Sequence, residues 1–207
     1  MMPNILLGFG TGLISLILLK KYSTVPDITS SLLSLNIGIY FLTSRDIFTA
    51  SNTILYRFGS SGLYLMRGEY WTLITSMFLH ANLIHLALNM YALYILGKAV
   101  EFSLGKKAYL VMYFFSGLVG NLASAILDPM IIGVGASGAI MGLLGYMVAM
   151  EYKLTGKLSS STIFVALFVI FGGFSANVDV IAHAGGFVVG LIWGLTRRIE
   201  RRYVIYY

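Results

Sequence analysis

Pro129–Met150 reads PMIIGVGASGAIMGLLGYMVAM, a run without a single Asp, Glu, Lys or Arg, closed by Asp128 on one side and Glu151 on the other. A helix needs about 20 apolar residues to cross a bilayer, and this run supplies them. Six more charge-free intervals match it: Met1–Leu19, Ile28–Ser44, Tyr70–Gly97, Ala108–Leu127, Leu158–Val178 and Val180–Thr196. Together they predict an all-α polytopic membrane protein with seven spanning helices. The first interval is the weakest, because its apolar core is only Ile5–Leu19. It does not have the pattern of a signal peptide, since Lys20 and Lys21 follow the apolar run instead of preceding it and no small-residue cleavage motif appears.

Composition agrees. Hydrophobic residues make up 58% of the 207 and charged residues 11%, against about a quarter charged in a soluble domain; mean hydropathy is +0.85. The net charge of +6 does not point to nucleic acid, because the basic residues lie between apolar runs and form no single basic face. With no cysteine, neither a disulfide framework nor a thiolate metal site is available.

Seven crossings place the termini on opposite sides. One side then receives Lys20, Lys21, Lys98, Lys106, Lys107, Lys153, Lys157, Arg197, Arg198, Arg201 and Arg202, and the other only Arg45, Arg57 and Arg67. The positive-inside rule assigns the richer side to the cytoplasm, so the amino terminus is expected outside and the carboxyl terminus inside. Residues 45–69 are too interrupted by charge to cross, yet Phe48, Leu55, Tyr56, Phe58, Leu63, Tyr64, Leu65 and Met66 keep them apolar. This segment is expected to lie in the membrane interface. Nothing in the chain reads as a linker, repeat or second domain.

Ionisable side chains within spans are rare, and each is a functional candidate. All three histidines, His80, His85 and His183, fall in charge-free intervals. His85 and Asn89 share a helix face at four-residue spacing. His80 points roughly 140° away from His85, which disfavours a two-histidine metal clamp, and no HExxH occurs; no metal or cofactor is expected. His80 is read as a bond to the 45–69 segment. Gly133-Val-Gly135-Ala-Ser137-Gly138 reads as a loop that dips inward and becomes a helix near Ser137. There the serine would sit beside unpaired helix N–H groups. Gly186, Gly190 and Gly194 follow His183 on one stripe, and small residues let helix backbones approach closely in lipid. If that stripe meets Gly138 and Gly142, His183 comes within reach of Ser137.

By the predicted topology, Ser137, His183, His85 and Asn89 all lie toward the outer face. A serine hydroxyl needs a neighbouring base to become a nucleophile, and His183 is the one available. Every lysine lies at the cytoplasmic ends, and no charge-free interval supplies a carboxylate, so the expected machinery is a serine–histidine dyad. His85, Asn89 and the Ser137 backbone N–H would hold the oxyanion. Taken singly, each of these positions also has a packing reading: a serine bonded back to its own helix, a histidine or asparagine as interhelical glue. Their convergence at one depth favours chemistry. Phe164, Phe168, Phe171 and Phe174 form a stripe read as core or lipid-facing.

At these residues the chain resembles the rhomboid intramembrane serine proteases. The resemblance runs from about Gly68 to Gly194 through Gly-Glu-Tyr-Trp71, His80, His85-x-x-x-Asn89, Gly135-Ala-Ser137-Gly138 and Ala182-His183-x-x-Gly186-x-x-x-Gly190. It implies Ser137 as nucleophile, His183 as general base, and His85 with Asn89 at the oxyanion, supported by Gly135, Gly138, Gly186 and Met141. It also implies a six-helix rhomboid-like core over residues 28–207, so that residues 1–27 form an additional N-terminal transmembrane helix and its cytoplasmic connection. The implied activity is cleavage of transmembrane protein substrates near their outer end at the cell membrane, within the lipid bilayer and without a cofactor. The rival reading is a non-catalytic rhomboid-like protein that binds membrane helices. A transporter would be expected to show related halves or charges along a path, and neither is seen. Two departures stand out. Trp71 is followed by Thr72, where the family usually has arginine, and Met141 stands one turn after the serine, where an aromatic is frequent. A thioether can still contact a ring.

Overall fold

Each of the seven intervals overlaps one of the longer helices in the computed structural model, which describes residues 2–22, 24–172 and 178–198. In chain order the elements are α1 (Met2–Tyr22), α2 (Asp27–Thr43), α3 (Asn52–Phe58), α4 (Gly62–Met66), α5 (Thr72–Thr75) with a 3₁₀ turn at Ser76–Phe78, α6 (Leu83–Leu104), α7 (Lys106–Leu127), α8 (Ser137–Thr155), α9 (Ser160–Gly172) and α10 (Val180–Thr196). Only isolated β-bridges occur among the described residues. Among these residues α6 and α7 are long and apolar enough to cross a membrane, and α10 is apolar but shorter. Phe174 lies outside the described residues, and Phe164 points outward.

α8 is the central helix. Every residue from Gly138 to Tyr146 is buried, as expected for a helix apolar on all sides. It packs chiefly against α10, then α7 and α6. Contacts fix the directions. Along α8, Gly138, Gly142 and Ala149 meet Gly186, Gly190 and Gly194 of α10 in the same order, whereas Gly142 and Ala139 meet Ser116 and Gly117 of α7 in reverse. Ser103 near the end of α6 bonds Tyr146 of α8 at 2.8 Å. α6, α8 and α10 therefore start at one end of the bundle, and α7 finishes there. The outer surface is apolar, with Phe9, Ile84, Phe102 and Ile126 all turned outward, while Ser116, Asn121 and Ser124 point inward and are buried. That distribution suits a hydrocarbon solvent. α1 lies against α2 through Gly8, Gly12 and Gly38, where an added Cβ at Gly8 would stand 2.8 Å from the Gly38 carbonyl oxygen.

The structure departs most from the Tyr70–Gly97 interval, at both of its ends. The Tyr70–Gly97 run does not form one helix: α5 and the 3₁₀ turn occupy its start, and α6 begins only at Leu83, where the Asn82 side chain accepts the His85 N–H at 2.8 Å. An asparagine N-cap of this kind satisfies an orphan donor and sets the start of a helix. At its other end α6 runs past Lys98 to Leu104 and carries Glu101, 3% exposed. This buried carboxylate accepts from Ile28 N–H at 3.0 Å, Thr29 N–H at 2.7 Å and the Thr29 hydroxyl at 2.7 Å. It closes the N-terminus of α2, where both the open N–H groups and the helix dipole favour an anion. Glu101→Ala is expected to destabilise the fold by about 3 kcal/mol through the stranded donors, and Glu101→Gln, which keeps one acceptor oxygen, by roughly half that; thermal unfolding in detergent measures both.

Residues 45–69 form a turn and two short helices. Asp46 accepts from the Phe48 and Thr49 N–H groups, both at 2.9 Å, and Ile47, Phe48, Tyr56 and Met66 face outward. At Thr72 the chain buries a hydroxyl that donates to the Glu69 carbonyl at 2.7 Å. A cation is supplied from elsewhere in the segment: Arg57 pairs with Glu69 at 2.6 Å and lies 6.0 Å from the centre of the Trp71 ring.

Candidate functional site

The starts of α6, α8 and α10 carry the candidate residues. Ser137 is the first residue of α8, His183 lies in the first turn of α10, and His85 lies in the first turn of α6 with Asn89 one turn further in. Ser137, His85 and His183 are half-buried, and Asn89 is buried.

The loop before Ser137 is held open by glycine. Gly135 has φ +127, a conformation L side chains rarely adopt. It also has no room for one, since an added Cβ would stand 3.0 Å from His85 Nε2 and Cε1 and 3.6 Å from Ser137 Oγ. The His85 imidazole and the serine hydroxyl thus flank the same backbone position. Ala81 N–H approaches His85 Nδ1 at 3.5 Å, an arrangement that leaves Nε2, the nitrogen beside Gly135, as the N–H donor. Asn89 donates to the His85 carbonyl at 2.9 Å, which uses one of its two amide hydrogens. Ser137, at the first position of α8, has a backbone N–H without an intrahelical partner.

His183 arrives with α10. Its helix lies so close to α8 that a side chain at Gly186 would overlap the Gly138 carbonyl, and one at Gly190 the Gly142 carbonyl. Ala182, next to His183, has its carbonyl 3.5 Å from where Gly138 would carry a Cβ, and against Gly120 of α7. The expected meeting of the two glycine stripes is what the structure shows. Ser137 and His183 each adjoin a member of that contact, Gly138 and Ala182. Met141 is 5% exposed within the core cluster.

His80 behaves differently from its expected bond to residues 45–69. It is fully buried and stands edge-on to His85, ring centres 5.1 Å apart. The loop is instead tied down by the backbone around it: Ala50 N–H donates to the Ala81 carbonyl at 3.1 Å and Leu83 N–H to the Phe48 carbonyl at 3.0 Å.

Sequence reasoning missed two groups of residues. Asn121 of α7 donates to the Leu73 carbonyl at 2.8 Å and to Ser76 Oγ at 2.9 Å, and the Ser76 carbonyl accepts the Gly135 N–H at 2.9 Å. The serine loop is therefore hung from α7 through Ser76. Asp179 had counted only as the charge separating two apolar intervals, yet it is a carboxylate at the head of α10. It accepts the Ala182 N–H at 2.9 Å and the Ser124 hydroxyl at 2.5 Å. Neither bond goes to the imidazole. An Asp immediately before an apolar helical run is a recognisable N-cap signal; its partner on α7 is not readable locally.

Comparison with known proteins places these features in a family. The family model of the Rhomboid domain matches residues 67–199. The chain is 34% identical over 166 residues to "Putative rhomboid protease YdcA" of Bacillus subtilis, an alignment covering 74% of this chain and 82% of that protein. It is 33% identical over 171 residues to rhomboid protease GluP of the same organism, covering 80% of this chain but 34% of that longer protein. Rhomboid-like protease 3 of Toxoplasma gondii is 35% identical over 131 residues, 59% of this chain and 50% of that protein. The chain thus spans half or less of the last two.

Proposed function

The chain belongs to the rhomboid family and is a multi-pass membrane protein, and from that premise we propose that it is an intramembrane serine endopeptidase cutting transmembrane segments of other membrane proteins near their outer end. In this reading Ser137 is the nucleophile and His183 the general base. His85 Nε2, the free amide hydrogen of Asn89 and the Ser137 backbone N–H stabilise the oxyanion. The observation that carries it is the backbone contact of α8 with α10, which sets the heads of the serine and histidine helices side by side, with His85 against Gly135.

The chemistry follows from the groups. His183 takes the proton from Ser137 Oγ as the oxygen attacks the scissile carbonyl carbon. The carbonyl oxygen becomes an anion facing the three donors. The intermediate collapses, the C–N bond breaks, and the imidazolium returns the proton to the leaving amine. Water then attacks the acyl-serine with His183 again as base. Residues 1–27 contribute an additional N-terminal transmembrane helix and connection, residues 28–207 the protease domain, and residues 45–69 its interfacial segment. The basic ends of the helices orient the protein in the cell membrane with its amino terminus outside and its carboxyl terminus in the cytoplasm, so that water reaches Ser137 from the outer face.

A fluorophosphonate probe, which reacts with activated serines, tests this directly. Purified protein in detergent is expected to label, Ser137→Ala not at all and His183→Ala at a small fraction of the wild-type rate. Equal labelling of wild type and Ser137→Ala refutes the reading. Absence of labelling in wild type favours a non-catalytic helix-binding protein.

A further inference from the structure

The His183 imidazole is not set by α10 alone. Its helix is capped by Asp179, and that carboxylate lies against three separate parts of the fold. One oxygen accepts the Ala182 N–H at 2.9 Å, closing the first turn of the helix that bears His183. The other accepts the Ser124 hydroxyl of α7 at 2.5 Å. The same oxygen stands 3.1 Å from where Gly133 would carry a Cβ, so it also abuts the loop that leads to Ser137 four residues later. Ser124 is 5% exposed, and its bond to a carboxylate is of the charge-assisted kind, roughly twice as strong as a neutral one.

We propose that Asp179 is a positioning residue for the Ser137–His183 pair, acting by tying the start of α10 to Ser124 of α7, beside the Gly133 turn of the serine loop. The proposal rests on the reading of Ser137 and His183 as the reacting pair. Its physical basis is the requirement for alignment. An offset of about 1 Å between reacting groups can cost on the order of 100-fold in rate. The far end of α10 is held to α8 by Lys153, which donates to the Leu195 and Arg197 carbonyls at 2.7 and 2.6 Å, and the end that bears His183 is bonded to α7 through Asp179 and Ser124. A cap that bonds only its own helix would not stop such an offset. A cap that also bonds α7 does. α7 then serves both partners, because Asn121, three residues before Ser124 and on the same face, holds the serine loop through Ser76. Both bonds of the Asp179 side chain go to Ala182 and Ser124 and neither to the imidazole, so it is not a third member of the reacting set.

The test uses the full-length protein in detergent or liposomes with a transmembrane peptide substrate, reading kcat and KM separately beside the unfolding midpoint. Ser124→Ala removes the link to α7 and leaves the helix cap in place; it is expected to lower kcat roughly tenfold or more with KM nearly unchanged. Asp179→Ala is expected to lower kcat at least as far. Asp179→Asn keeps an oxygen for the Ala182 N–H and an amide that can donate to Ser124 Oγ, so it is expected to return kcat to within a few-fold of wild type. Asp179→Ser keeps the cap without reaching Ser124, and should behave like Ser124→Ala if the protein with alanine at 179 fails to fold. Ser124→Ala with wild-type kcat overturns the proposal. So does Asp179→Asn as impaired as Asp179→Ala, because charge rather than placement would then be the active property. Wild-type protein that neither labels with fluorophosphonate nor cuts the peptide refutes the protease reading itself, and that outcome is distinct from both.

Discussion

Ser137→Ala is expected to lower kcat for cleavage of a transmembrane substrate by on the order of 10⁶, His183→Ala by a similar factor, and the double variant by no more than either alone. The reason lies in how the two side chains divide one step. Without the imidazole, the hydroxyl keeps its proton at neutral pH and is a poor nucleophile; without the hydroxyl, the imidazole has no proton to take. Removing the second partner after the first therefore removes nothing further. Ser137→Ala retains the backbone N–H at the head of α8, and His85 and Asn89 are untouched, so whatever residual rate remains belongs to the oxyanion donors and to substrate binding. Those donors have their own smaller signature: His85→Ala or Asn89→Ala is expected to lower kcat by 10²–10³, the range for one oxyanion donor. Gel-based cleavage of a reconstituted substrate, with kcat separated from KM, distinguishes the patterns. A double variant whose loss is the product of the single losses would show that Ser137 and His183 act independently, and the dyad would have to be abandoned.

The features of this site differ in how far they could be read in advance, and the differences have physical causes. A charge-free run of membrane length and a stripe of glycine at four-residue spacing are written in consecutive residues. They anticipated the all-helical fold, the start of α8 near Ser137 and the contact of Gly186 and Gly190 with Gly138 and Gly142. The limits of α6 were misjudged in both directions because tertiary partners set them. Its start waits for the Asn82 cap and for the backbone pairing of residues 48–50 with 81–83. Its end extends past Lys98 because α2 brings N–H donors to Glu101. Counting charges left Glu101 outside the spans, beyond Lys98, and made Asp179 only a boundary. Each is in fact satisfied by a group more than 50 residues away in sequence, 73 for Glu101 with Ile28 and 55 for Asp179 with Ser124. Thr72 shows the same limit, since nothing next to Trp71 indicates that Arg57 would come to lie over that ring.

Gly190→Leu is expected to abolish the folded state under conditions where wild type is stable, and Gly190→Ala to cost about 1–3 kcal/mol. At Gly190 an added Cβ would overlap the Gly142 carbonyl oxygen and stand 2.6 Å from the carbonyl carbon and 2.9 Å from Cα. All three atoms are backbone inside a buried helix, so no rotamer change can relieve the clash. α8 and α10 must separate, and with them the neighbouring close approaches, where a Cβ added at Gly186 would stand 2.9 Å from the Gly138 carbonyl carbon and one added at Gly194 2.5 Å from Ala149 Cβ. In lipid, no expulsion of water drives helices together, so the loss of close van der Waals contact is not compensated from elsewhere. Separation also moves the heads of both helices, and activity should vanish along with the fold although Gly190 lies two turns from His183. Gly10 in α1 supplies the control, because an added Cβ there meets nothing within 4 Å. Gly10→Ala should be neutral or slightly stabilising, as alanine is the better helix former. Thermal unfolding in detergent reads all three variants. A Gly190→Leu midpoint within about 2 °C of wild type, a shift that corresponds to about 1 kcal/mol or less, would mean that α8 and α10 are not pressed together as the glycine contacts require.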